Sequence, residues 1–194
     1  MSATQVFVDA NVLRSRTLRD WLFLLRGEAE GMFALCATED VIAEVVYTLR
    51  REKPSAPGHL TRRVHDVISE NLDYRVENFE SADDARYLGK DPNDEHVHAA
   101  AVSAGVDIVL TADKGFTTLT QDQRDSLPYE IYHPDEFFML VDGSGPQCVR
   151  NVAKSQLDYW SSRYPCGGVN LVDVLERSNC PGFAERLRWH LQEI

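Results

Sequence analysis

No apolar run in this 194-residue chain approaches the roughly 18 residues that span a membrane. The N-terminus also shows no charged-then-apolar signal segment. A cytoplasmic protein with no membrane partner is therefore expected. Cysteine is scarce: Cys36, Cys148, Cys166 and Cys180 form no CxxC pair and show no zinc-ribbon spacing. They read as reduced thiols, and Cys36, inside the apolar run FALCA, reads as a core residue. Positive charge is short as well. The formal net charge is −11, which argues against a general nucleic-acid coat protein with a basic surface. Internal repeats and low-complexity segments are absent.

What is present is an ordinary globular composition, 43% hydrophobic and 26% charged, enough for one packed domain with an appended piece. The charge is unevenly placed. Between Asp91 and Asp142 eleven acids face only Lys114 and Arg124. Between Arg50 and Arg63, five basic residues (Arg50, Arg51, Lys53, Arg62, Arg63) face only Glu52. One stretch suits a cation, the other a phosphate.

Apolar runs at Gln5–Asp9, Phe33–Ala37, Tyr74–Phe79 and Val106–Thr111 read as strands, with a weaker one at Glu130–Tyr132. Between them, helical periodicity covers Thr17–Glu30, a stretch from Thr38 to about Arg51, Leu60–Leu72, and a helix opened by Asp91-Pro92 and stopped by Gly105. Pro134–Leu140 reads as a further short helix. Alternation of this kind predicts an α/β fold with a mostly parallel sheet. Gly143-Ser144-Gly145-Pro146 marks a break, placing a core domain at 1–143 and a helical appendage at 144–194.

Open parallel sheets bind ligands at the carboxyl ends of their strands. Asp9 ends the first strand and Asp113 follows the fourth, so both can share one rim. Each alone also fits a helix or turn cap. On the helix after Thr38, Glu44 flanks the apolar arc of Val41, Ile42, Val45, Val46 and Leu49, with Asp40 one turn earlier. Either acid fits a solvated face or a cleft edge, and the geometry leaves both readings open. Asp91 fits an N-cap and Asp94 a capping-box acid. The Ala99-Ala100-Ala101 run behind them lets that helix pack close to the sheet.

These residues carry a resemblance. Val6-Phe7-Val8-Asp9-Ala10-Asn11 resembles the opening of PIN domains, and Thr38 followed by Glu44 is similar to their second acidic helix. Asp94-Glu95-His96-Val97-His98-Ala99-Ala100-Ala101 resembles their third motif, and Leu110-Thr111-Ala112-Asp113 their Thr-x-Asp signature. Pro134-Asp135-Glu136-Phe137-Phe138 is similar to a closing turn of these domains. The resemblance spans roughly residues 5–140. It implies a three-layer α/β/α fold and a Mg²⁺- or Mn²⁺-dependent endoribonuclease, often the VapC-like toxin of a toxin–antitoxin pair. An RNA substrate, an antitoxin partner and a homodimer are implied with it. Asn179-Cys180-Pro181-Gly182-Phe183-Ala184-Glu185-Arg186-Leu187 resembles the C-terminal extension of a longer subgroup of such toxins.

On this reading Asp9, Glu44, Asp94 and Asp113 surround one or two hard cations, with Asp91 and Asp40 as neighbouring acids able to substitute. Mutual repulsion should raise at least one carboxyl pKa in the absence of metal. Asn11 and Thr111 are candidates for orienting a ligand or a water. The five basic residues between Arg50 and Arg63 read either as RNA-backbone contacts or as a solvated helix face. His96 and His98, two apart on a helix, make a poor chelate. Trp21, Trp160 and Trp189 sit on apolar stripes and read as core. Two rivals remain: a PIN module without activity, and a haloacid-dehalogenase-like phosphatase, whose Asp-x-Asp signature here has Asn11 in place of the second acid.

Overall fold

Val6, Phe7, Val8, Val109 and Leu110 have no solvent exposure, as parallel strands covered on both faces require. The computed structural model describes residues 3–29, 31–79, 87, 94–117, 119–164 and 169–193. It contains the strands β1 (Thr4–Val8), β2 (Phe33–Ala37), β3 (Tyr74–Arg75), β4 (Ile108–Leu110) and β5 (Glu130–Tyr132). They form one sheet in the order β3-β2-β1-β4-β5, with every pairing parallel. The third strand is shorter than the run Tyr74–Phe79 suggested. Both its residues are exposed at the sheet edge, and Asn78 turns the chain with a φ of 53°.

The strand order reverses at β1. Right-handed crossovers then put the connections running toward β3 and those running toward β5 on opposite faces. The result is the expected three-layer α/β/α fold, and the crevice at the reversal lies between the carboxyl ends of β1 and β4.

The chain divides into two compact units, Met1–Arg14 with Gly31–His133 and Ser15–Glu30 with Pro134–Ile194. The first holds the sheet with α1 (Ala10–Arg14), then α3 (Glu39–Glu52), α4 (Gly58–Asn71), α5 (Glu95–Ala104), α6 (Lys114–Thr117) and α7 (Gln121–Asp125). Thr38 caps α3 by accepting from the Val41 N–H at 3.2 Å. Gly105, at a φ of 60°, closes α5 in the left-handed conformation that glycine adopts without penalty. The proposed opening of that helix at Asp91-Pro92 lies outside the described residues.

The second unit is α2 (Arg16–Glu28), α8 (Pro134–Ser144), α9 (Pro146–Arg163), α10 (Leu171–Arg177) and α11 (Pro181–His190). The sequence reading drew one break near Gly143 and kept the helix beginning near Thr17 with the sheet. Here α2 packs on α8, α9 and α10 instead, with the Trp21 ring edge-on to Phe183 at 5.1 Å. The Asp135 carboxylate accepts from the N–H groups of Gly182 (3.0 Å) and Phe183 (2.7 Å), capping α11 from α8.

Trp189 departs from the core expectation. It is 63% exposed, because α11 buries Phe183, Ala184, Leu187 and His190 and Trp189 lies about 200° from Leu187 around the helix. Burial pushes the thiols of Cys36 and Cys180 up to about 11 and about 12, so neither is a nucleophile at neutral pH. Among the described residues no helix is long and apolar enough to cross a membrane.

Candidate functional site

The pairing of β1 with β4 continues one residue past both strands, where the Asp9 N–H donates to the Leu110 carbonyl at 3.1 Å. Asp9 and Thr111 therefore leave the sheet side by side at the strand-order reversal. Asp9 is only 6% exposed and Thr111 fully buried. The Thr111 hydroxyl donates to Asp9 Oδ2 at 2.6 Å, the Asn11 amide donates to the same oxygen at 2.5 Å, and the Ala10 N–H donates to Asp9 Oδ1 at 2.6 Å. Asn11 is itself held, its carbonyl oxygen accepting from the Ala112 N–H at 2.8 Å. Asp9 thus sits in a fixed rotamer with donors on both oxygens. As an amide donor, Asn11 cannot supply the general acid that a phosphatase of the rival class needs.

Asp9 titrates above the ordinary aspartate range. Burial is the largest cause, and the charges of Glu44 and Asp113 add to it; the donors Thr111 and Ala10 work against it. A raised carboxyl was expected from mutual repulsion. Here desolvation leads and repulsion is secondary.

Asp113 follows Thr111 by two residues, its N–H donating to the Thr111 hydroxyl oxygen at 3.0 Å. Its Oδ1 accepts from the Gly115 N–H at 2.5 Å. Asp94 precedes α5 without making a cap hydrogen bond, and its Oδ2 accepts from the Tyr87 hydroxyl at 2.8 Å. The two carboxylates meet at Gly115. A Cβ there would stand 2.5 Å from Asp94 Oδ2 and 3.0 Å from Asp113 Oδ1, so only glycine lets them approach. Nothing in the local sequence announces this contact, because Asp94 lies 21 residues upstream.

Asp9, Glu44, Asp94 and Asp113 all line one open cleft of about 940 Å³ within the first unit, together with Asn11, Arg14, Arg51, Phe79 and His96. Glu44 reaches it from α3, beside the buried Val45. Asp40 is exposed and does not line the cleft, and Asp91 lies outside the described residues. Of the five basic residues singled out, Arg51 alone is at the cleft. The Arg50 guanidinium instead braces the α3–α4 connection, donating to the Ala56 carbonyl and to the Thr61 hydroxyl at 3.3 Å. Lys53, Arg62 and Arg63 are exposed away from it. His96 faces the cleft while His98 turns into the core and bonds the Tyr129 hydroxyl at 2.7 Å, as a spacing of two on a helix requires. Arg14, Phe79, Tyr87 and Gly115 carried no signal in the sequence that assigned them to this place.

Among the described residues, no group of three or more His, Cys, Asp or Glu is placed to hold a metal ion. Asp94 and Asp113 stand as a pair at Gly115. That arrangement still suits Mg²⁺ or Mn²⁺: both favour oxygen donors, and Mg²⁺ commonly uses one or two carboxylates, keeps several waters and shares phosphate oxygens.

A family model described as PIN domain matches residues 3–115, a span that contains all four acids. No curated protein and no solved structure matches the chain.

Proposed function

Because the chain belongs to the PIN-domain family, whose members are generally nucleases, we propose that it is a Mg²⁺- or Mn²⁺-dependent endoribonuclease acting in the cytoplasm. The observation that supports this most is the linkage of acids far apart in the chain. Asp9 and Asp113 are joined through the Thr111 hydroxyl at the strand-order reversal, in the cleft that Glu44 and Asp94 also line.

In this reading Asp9, Glu44, Asp94 and Asp113 would hold one or two cations between them. When bound, the ion supplies charge neutralisation at the phosphate and an acidified water as nucleophile. Asn11 and Thr111 hold the Asp9 carboxylate in its rotamer so that no reorganisation is needed at the moment of attack. Asp113 is fixed through its own N–H and that of Gly115, and Asp94 through Tyr87. Arg51 offers a cation to the strand entering the cleft.

We further read the protein as the toxin of a toxin–antitoxin pair, neutralised by an antitoxin protein and able to form a homodimer. The support is the resemblance of residues 179–187 to the extension of longer VapC-like toxins. Induced expression in a bacterial host should arrest growth, and Asp9→Asn should relieve the arrest. Unimpaired growth at a confirmed level of folded wild-type protein would leave a housekeeping nuclease.

A further inference from the structure

Phe79 lies beyond β3 and lines the cleft. Its run looked like the end of a buried strand, yet β3 stops at Arg75 and Asn78 turns the chain through a left-handed conformation. The phenyl ring is left half-buried on the wall of the cleft that holds the four carboxylates. It is the one phenyl ring among the described residues lining that cleft, and the rest of the lining is largely acidic, basic or amide. A half-buried ring on the cleft wall offers an apolar face to a ligand.

Two arginines share the lining. Arg51 makes no ion pair with any described residue, and Arg14 bonds Glu52 at 2.9 Å in a pair about half exposed on both sides. Such a surface pair contributes little, so Arg14 can exchange Glu52 for a phosphate. Asp9, also on the lining, is 6% exposed. Asp9 and Phe79 line the same cleft, so a strand with one phosphate at Asp9 can bring a neighbouring base to the ring.

We propose that Phe79 stacks on an unpaired base flanking the scissile phosphate, with Arg51 and Arg14 on adjacent phosphates. The assignment rests on reading the cleft as a ribonuclease site. A base in a duplex is already stacked and paired, whereas an unpaired base is free to splay onto an aromatic side chain. Stacking of this kind is worth about 1–3 kcal/mol per base, or roughly 5- to 150-fold.

The test is kcat/KM for the full-length protein on a short end-labelled RNA spanning one mapped cut. Each base beside the cut is removed in turn to leave an abasic nucleotide. At one position, removal should slow the wild type about 10- to 100-fold. Phe79→Ala should slow cleavage of the intact strand by a similar factor and lose nothing more on the abasic strand. Phe79→Leu, which keeps an apolar side chain without a ring face, should behave like Phe79→Ala, and Phe79→Trp like wild type. Annealing the complement should slow the wild type at least 10-fold. Wild-type rates in Phe79→Ala and Phe79→Leu, or losses that multiply between substitution and base removal, would overturn the stacking assignment while the nuclease reading stands. A wild type that cuts no RNA would remove the nuclease reading, and the stacking assignment with it.

Discussion

Asp9 is a buried carboxylate at the strand-order reversal. A carboxylate almost out of water, with Glu44 and Asp113 as like charges nearby, holds its proton to higher pH than a free aspartate. Its native pKa is raised, so its contribution to stability is fully present below the unfolded value, near pH 4. That contribution is lost as pH rises through the native pKa. In EDTA, urea unfolding across this window should therefore show the wild type losing stability relative to Asp9→Asn as pH rises. A stability difference independent of pH would contradict the burial of an ionisable Asp9. Cleavage should rise over the same window, because only the ionised carboxylate can meet a cation. Asp9, Asn11, Thr111 and Asp113 were legible in the sequence because each follows or ends an apolar run that is recognisably a strand. Gly115 and Phe79 were not, since their importance comes from carboxylates and space brought to them by other parts of the chain.

At the scale of elements, β1, β2 and β4 could be read within a residue or two, because strands buried on both faces are continuous apolar runs. Thr38 marked α3 for the same kind of local reason, a hydroxyl that satisfies an orphan N–H. Partner choice was harder. The amphipathic period of α2 says that it buries one face, but its true partners, α8 to α10, are more than a hundred residues away. The turn at Pro134-Asp135 and the stretch Asn179–Phe183 were noted as separate motifs, and their connection is a single carboxylate. Asp135 caps α11 through Gly182 and Phe183, and a Cβ on Gly182 would stand 2.9 Å from it. Asp135→Ala should cost about 1 kcal/mol and lower the melting temperature by about 2–4 °C, with hydrogen exchange accelerated along α11. Asp135→Asn, which keeps one of the two acceptor oxygens, should recover only part of the loss. Equal melting temperatures for all three proteins would rule out the cap as a stabilising contact.

For the whole molecule, a net charge of −11 and an acidic cleft set the terms on which a polyanion can approach. Phosphate cannot enter a cleft lined by five carboxylates unless positive charge is already there. Arg14 and Arg51 supply some, and a divalent cation supplies the rest and links RNA binding to chemistry. The helical unit of α2 and α8 to α11 is organised about its own aromatic core of Trp21, Phe138 and Phe183, and the four acids lie outside it. The most direct measurement is cleavage of end-labelled total RNA by the purified protein in Mg²⁺, in Mn²⁺ and in EDTA, beside Asp9→Asn and Asp94→Asn. Discrete products should form with either ion and vanish in EDTA. Both variants should be slower by about 100-fold or more, since even partners behind metal ligands typically cost 10- to 100-fold. Intact RNA with every ion, from folded protein free of any bound partner, would contradict a carboxylate-held metal nuclease and leave a PIN module that binds without cutting.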